Sequence, residues 1–346
     1  MEVLVKEKIL VIQTAFLGDC VLTLPMIQKL KDKFPDSEIT ILCIPATKEL
    51  FGHSAFIDYV IEYDKKGGQK SFGSFIKLLK VIRERGFTRI YSPHRSLRSA
   101  LIVFFSKAAS TTGFDTSDFS FIYKTVVKYN KDKHEVARNL DLIGFDTSDE
   151  KWKVFPKIDI PDITGSKIKK MMSELGNPQL AVIAPGSVWN TKIYPEDHFK
   201  KVINYLVEKK YLVALIGGKN DEQICRRIEE QFDSGVKSYA GLLSIVESVA
   251  LLKKSRLLIS NDSAPTHLGM IAEIPVLTIY CSTVPEFGFY PYNSKSRFVS
   301  LEGLKCKPCG IHGHAKCPIK TFECAFDLSP DIVMASVEKL MASLEK

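Results

Sequence analysis

Two rhythms of apolar residues alternate along the chain. Residues 8–12, Lys8-Ile9-Leu10-Val11-Ile12, form an apolar run of strand length, and residues 21–30 then repeat apolar side chains at helical spacing. Residues 38–44 make a second strand beyond the turn Phe34-Pro35-Asp36-Ser37. A strand, a helix and a strand in that order imply a parallel pair joined by a right-handed crossover. The pattern predicts a further strand at 57–62, a helix over 74–85 and a strand at 88–92. It resumes with a strand at 180–184, a helix at 195–208, a strand at 212–216 and helices at 221–231 and 244–254. A strand at 256–259, a helix from Pro265 and a strand at 276–280 follow. Residues 145–165 are rich in Asp, Ser, Lys and Pro with little periodicity, which places a linker at 158–166. Ile332, Val333, Val337, Leu340 and Leu344 predict a terminal helix over 330–345.

With 346 residues, the chain is too long for one comfortable core. The fold class expected is therefore α/β, with two Rossmann-like doubly wound domains facing across a cleft. The first spans 1–160, the second 166–328, and a helix at 329–346 is expected to return to the first. Ligands of such sheets bind beyond the carboxyl ends of the strands, so the cleft is the expected site.

Composition narrows the function classes. Hydrophobic residues make up 45% and charged residues 25%, an ordinary globular balance. No run of about 18 apolar residues offers a membrane span. The start, Met1-Glu2-Val3-Leu4-Val5-Lys6-Glu7-Lys8, carries charge where a signal peptide needs an apolar stretch, so a cytoplasmic location is expected. The net charge of +8, from 48 Lys and Arg against 40 Asp and Glu, suits phosphates or an anionic membrane surface as well as plain solubility. The aromatic-plus-basic signature of a nucleic-acid module is absent, so no nucleic-acid partner is expected.

Five segments carry candidate chemistry. Gln13–Cys20 follows the first strand with a single glycine, so it is neither G-x-G-x-x-G nor a P-loop. It offers Gly18 beside Asp19 at a helix start, where Asp19 suits a general base toward a hydroxyl, or a cap. In Pro185-Gly186-Ser187-Val188-Trp189-Asn190-Thr191-Lys192, Gly186 lets a ligand approach the backbone, and Ser187 and Thr191 are placed to donate to phosphate. Lys192 offers a point charge for a diphosphate leaving group, or is simply solvated. Ser260-Asn261-Asp262-Ser263-Ala264-Pro265-Thr266-His267 reads as a strand end and a helix start, a natural phosphate site. There Asp262 binds a sugar hydroxyl or caps the helix, Ser263 and the N–H groups from Ala264 onward hold phosphate, and His267 sits one turn in. The polar turn at Gly217-Gly218 brings Asn220, Asp221 and Glu222 to a strand end, for ribose or base contacts or as an ordinary loop. Two such strand ends in one half look like one nucleotide-sugar pocket. Lastly, Cys306, Cys309, Cys317 and Cys324 run C-x2-C-x7-C-x6-C with His312 and His314 inside. A small structural zinc site, reduced thiols pinning a loop and a conditional disulfide are the alternatives. Cys20, Cys43, Cys225 and Cys281 are scattered and read as buried small hydrophobes.

In order and spacing, these segments resemble glycosyltransferase family 9, the ADP-heptose–lipopolysaccharide heptosyltransferases. The resemblance rests on Leu17-Gly18-Asp19 with Thr23-Leu24-Pro25, Pro185-Gly186-Ser187 with Thr191-Lys192 and Tyr194-Pro195, Gly217-Gly218, residues 260–268 and the late cysteines. It implies a GT-B fold, with an ADP-sugar donor held mainly by the second domain and a lipid A–core oligosaccharide acceptor by the first. It implies no metal in the catalytic step, which suits the lack of an Asp-x-Asp motif. The family's catalytic Asp falls on Asp19, its phosphate-binding Lys on Lys192, and its Asp-Thr/Ser-Gly-x-x-His segment on Asp262, Ser263, Ala264 and His267. Ala264 stands where glycine is frequent, so backbone approach there is tighter. Gly18 and the basic segment His94, Arg95 and Arg98 would face the acceptor's phosphates, unless that segment is a solvated loop. The activity implied is inverting transfer of a heptose from ADP-heptose to a lipopolysaccharide core acceptor, with at most peripheral contact at the inner face of the inner membrane. A GT-B-type sugar-nucleotide epimerase or hydrolase, and an inactive nucleotide-sugar-binding module, are the alternatives.

Overall fold

The structure, a computed structural model, describes residues 6–176 and 178–344. The charged start at 1–5 and Glu345 lie outside the described residues. The chain divides into two compact units, Met1–Asp159 and Ile160–Lys346.

The first unit is built on β1 (Lys8–Ile12), β2 (Glu38–Cys43), β3 (Tyr59–Glu62), β4 (Arg89–Ser92), β5 (Ser110–Phe114) and β6 (Thr125–Val127). They form one parallel sheet in the order β3-β2-β1-β4-β5-β6. The helices are α1 (Leu17–Lys33), α2 (Lys48–Gly52), α3 (Phe72–Arg85), α4 (Leu97–Ser106) and α5 (Glu135–Asp141). Ile9, Leu10, Val11 and Ile12 are fully buried, as a central parallel strand covered on both faces requires. β5 and β6 escape the apolar pattern because Ser110-Thr111-Thr112-Gly113 and Thr125 keep their hydrogen bonds inside the sheet while looking polar in sequence.

The second unit repeats the plan with β7 (Leu180–Ala184), β8 (Leu212–Leu215), β9 (Val236–Ser238), β10 (Leu257–Asn261), β11 (Val276–Tyr280) and β12 (Arg297–Ser300), ordered β12-β11-β10-β7-β8-β9. Its helices are α6 (Asp162–Glu174), α7 (Glu196–Glu208), α8 (Glu222–Glu229), α9 (Ile245–Leu252), α10 (Ala264–Ala272), α11 (Glu323–Phe326) and α12 (Pro330–Ala342). In each sheet the strand order reverses beside its first strand, between β1 and β4 and between β7 and β10. Open α/β sheets hold ligands in the crevice at that point.

Two expectations are corrected here. Most of the linker placed at 158–166 is the first turn of α6, which begins after Pro161; only Ile168 and Met172 of this helix are buried, too few for a visible stripe. The last helix was expected to return to the first domain, whereas α12 buries Val333, Val337 and Leu340 in the core of the second unit, with Phe199 and Leu206 of α7. An apolar stripe says which face is buried, not which sheet buries it.

Candidate functional site

β7 and β10 run parallel and adjacent, Leu257 opposite Ala181 and Ser260 opposite Ala184, so their carboxyl ends finish side by side. Asn261 fastens the two ends. Its Nδ2 donates to the Pro185 carbonyl at 2.7 Å and its Oδ1 accepts the Tyr194 N–H at 3.0 Å, both out of contact with water. Sequence reasoning passed over this amide, although a lone Asn closing an apolar strand was the available signal.

Lys192 ends the short turn Asn190–Lys192 and reaches Asp262, Nζ to Oδ2, at 2.6 Å. The Thr283 hydroxyl donates to the same oxygen at 2.7 Å. The Lys192 and Asp262 side chains are only 13% and 10% exposed, so this is a desolvated pair. Asp262 is thus a counter-ion rather than a helix cap. Ser263 precedes α10 in extended conformation and its hydroxyl makes no cap either; it lies 3.5 Å from the Gly186 carbonyl. Ala264 opens the helix, Pro265 lies in its first turn, and His267 follows one turn in. His267 is buried, its Nδ1 has no hydrogen-bond partner, and burial holds its pKa down at about 4. Asp262 pulls that value up and Lys192 pushes it down, and the ring stays neutral near pH 7.

The β8 end joins the same region. Asp221 accepts the Gly218 N–H at 2.8 Å and packs flat on two glycines. A Cβ on Gly186 would stand 2.0 Å from Asp221 Oδ1, and one on Gly217 would stand 2.6 Å from its Cβ. A side chain at either position would have to displace Asp221, which packs the β7 and β8 turns against each other. Glu222 lies on Gly241, where φ is +72° and a Cβ would meet Oε1 at 2.1 Å. Asn220 is exposed on the turn Lys219–Asp221, and Ser187 is half-buried, accepting the Trp189 N–H at 3.4 Å.

Thr191 departs from its expected part. It is 2% exposed, and its hydroxyl accepts the His314 N–H at 2.7 Å and the Ser282 hydroxyl at 3.0 Å. Its own N–H donates to the His314 carbonyl at 3.1 Å. The hydroxyl expected to meet phosphate instead holds the cysteine-bearing loop onto the lysine turn. In that loop Cys306, Cys309 and Cys317 are half-buried, Cys324 lies in the core, and all are free thiols. Among the described residues no three or more His, Cys, Asp or Glu side chains are gathered to hold a metal ion. The zinc expectation thus finds a shared neighbourhood but no formed ligand set. The scattered Cys20, Cys43, Cys225 and Cys281 are buried, and burial lifts their thiol pKa values.

In the first unit, Asp19 stands in the first turn of α1, next to half-buried Gly18, and accepts the Phe16 N–H. Burial raises its carboxyl to about 7, the negative charge of Glu135 adds to the rise, and Arg95 opposes it. Glu135 is itself fixed by the Tyr129 hydroxyl at 3.1 Å and Arg138 Nη1 at 2.8 Å, and the Arg95 guanidinium lies over the Tyr129 ring at 4.1 Å. Glu135, Tyr129 and Arg138 had no motif to announce them. His94 does not serve as a cation. Its Nδ1 meets the hydroxyls of Thr14, Ser96 and Ser99 at 3.2, 3.1 and 2.9 Å, and burial beside Lys65 and Arg95 lowers its pKa to about 4. Positive charge is supplied instead by Arg95, Arg98 and Lys65. Lys65 Nζ donates to the Thr14 carbonyl at 2.7 Å, and Arg98 donates to the Lys65 carbonyl at 3.3 Å.

Comparison with known proteins gives the chain a family. The family model described as glycosyltransferase family 9 (heptosyltransferase) matches residues 75–318, more than half of the chain. Lipooligosaccharide heptosyltransferase 2 of Haemophilus influenzae is 23% identical over 356 residues, covering 96% of this chain and 99% of its own length. The crystal structure of a family 9 glycosyl transferase from Veillonella parvula superposes with a TM-score of 0.85 at 22% identity, covering 97% of this chain and 98% of that one. The structure of Escherichia coli ADP-heptose lps heptosyltransferase II gives a TM-score of 0.80 at 19% identity, covering 98% and 100%. Those likenesses carry the GT-B-type fold, and the family model carries the family: this chain belongs to glycosyltransferase family 9.

Proposed function

We propose that this glycosyltransferase moves a heptose from ADP-heptose to a lipopolysaccharide core acceptor with inversion. The observation that carries the reading is the cradle at the β7, β8 and β10 ends, where Lys192 stands beside the α10 N-terminus and the neutral His267, whose Nδ1 has no hydrogen-bond partner. A diphosphate there would share Lys192 with Asp262 and meet the dipole of α10. Gly186, Ser187, Ser263 and Ala264 would line the phosphates, and Asp221, Glu222 and Asn220 the ribose side. Asp19, with its raised pKa, would take the proton of the acceptor hydroxyl as that oxygen attacks the anomeric carbon. The bond from that carbon to the β-phosphate oxygen breaks, and ADP departs with the electron pair toward Lys192. Arg95, Arg98 and Lys65 would bind acidic groups of the acceptor, with Gly18 keeping the backbone open beside Asp19. The names of the relatives above support heptose, ADP and lipopolysaccharide as the substrate classes.

The test is isothermal titration with ADP, UDP and GDP, with and without chelator. Selective ADP binding that ignores chelator is expected; selective UDP or GDP binding would discard ADP-heptose as the donor. We further propose that Cys306, Cys309, Cys317 and Cys324 would hold a structural zinc ion. Metal analysis reads one zinc per chain on that reading and none if the thiols only pack. The reaction belongs, on this proposal, at the cytoplasmic face of the inner membrane with peripheral attachment; no described helix is long and apolar enough to cross a membrane.

A further inference from the structure

The first unit leaves large apolar side chains in water along one side of its sheet. α3 and α4 pack against each other there, turning Phe75, Leu79, Ala100 and Val103 into the core. Their outer faces carry Phe72 and Ile76 in line with Lys80, and Leu97 in line with Phe105, at helical spacing. The turn Ser120–Ile122 adjoins α4 and brings Phe119 and Phe121. Phe72 is 79%, Phe104 60% and Phe121 78% exposed. Phe104 meets Phe105 edge to face at 5.1 Å and Phe119 meets Phe121 at 5.5 Å, so these rings lean on one another as well as standing in solvent. Single exposed phenylalanines need no explanation, but a run of them along one face marks an interaction site.

Charge selects the occupant. Lys77 on α3, Lys107 directly after α4, and Lys124 and Lys128 on either side of β6 are exposed, Lys124 also donating to the Ala109 carbonyl at 2.8 Å, while Lys80 shares its charge with Glu84 at 3.7 Å and Asp118 is engaged with the Leu97 N–H at 2.8 Å. A second copy docked through a two-fold axis would set this lysine rim against itself. An anionic bilayer matches it: rings enter the boundary between headgroups and acyl chains, and ammonium groups meet the phosphates.

We propose that the outer face of α3, α4 and the turn Ser120–Ile122 is the surface by which this protein docks on an anionic phospholipid bilayer. This deepens the peripheral location proposed above and rests on it. The test is co-sedimentation of the full chain with phosphatidylcholine vesicles that contain phosphatidylglycerol, and with phosphatidylcholine vesicles alone, followed by titration of ADP. The expected result is binding to the anionic vesicles, weakened by salt, and a drop of about tenfold or more in Phe104→Ser/Phe121→Ser with ADP affinity unchanged. Absence of vesicle binding by the wild type, or a variant that binds like it, overturns the surface. So does a dimer in gel filtration that the same substitutions dissociate. A wild-type chain that binds ADP but not the anionic vesicles sinks the surface alone; a wild-type chain that binds the anionic vesicles but not ADP sinks the donor reading alone.

Discussion

Asp19 and His267 show how burial sets chemistry in opposite directions. Burial raises the carboxyl of Asp19 to about 7, so its basic, ionised form gains population as pH rises through that value. Transfer measured as kcat/KM is expected to climb through pH 7 and level off above it. Asp19→Asn is expected to fold and to lose transfer by about 10²–10⁴-fold, the usual contribution of a positioned base. Undiminished transfer in that variant would remove Asp19 from the role. His267 sits near 4 in the folded chain against an ordinary 6.5. The unfolded chain therefore binds the extra proton first, and this residue's contribution to stability is complete above pH 6.5 and is lost as pH falls toward 4. The limiting slope is about 1.4 kcal/mol per pH unit. His267→Gln should flatten urea-unfolding stability between those values relative to wild type. The opposing slope of Asp19 is present in both proteins and cancels in the comparison. An identical slope would mean that the ring takes up its proton without cost in the folded chain.

Among the elements, the three strand ends of the second unit are held by contacts too close for ordinary side chains. Gly186→Ala would drive a methyl group into the Asp221 carboxylate and is expected to cost about 1–3 kcal/mol in thermal or urea unfolding. Asp221→Ala made on top of it removes the clashing atoms, so the pair should be strongly non-additive, and simple additivity would show the turns to be independent. The Gly-Ser and Gly-Gly turns were legible in sequence because glycine and strand-length apolar runs leave a local mark. The strands β7, β10 and β11 were equally legible, being mostly apolar and buried along their whole length. What stayed hidden was non-local. The partner of Asp262 is a lysine 70 positions away. Thr191 looked like a phosphate donor, but its hydroxyl lies on the His314 backbone; α4 hid because residues 100–105 are an unbroken apolar run without helical spacing, and α5 because it is short and mixed.

At the scale of the molecule, each unit has its own sheet and its own buried core. Residues 160–346 expressed alone are therefore expected to melt cooperatively and to bind ADP about as tightly as the full chain. A chain that fails to fold, or binds ADP far more weakly, would show that the first unit completes the nucleotide site. The doubly wound plan was legible from the succession of strands and helices, whereas the docking of α12 was not, because burial of a stripe carries no address. The bond pair between Thr191 and His314 has a consequence for the order of assembly. During synthesis on the ribosome, β7 and the lysine turn emerge well before residue 314 does. Until then, Thr191 lacks the backbone that fixes it, and the lysine turn has no loop to rest on. If the proposed donor site is right, ribosome-stalled chains ending before the loop should be blind to ADP, while chains long enough to include α12 recognise it.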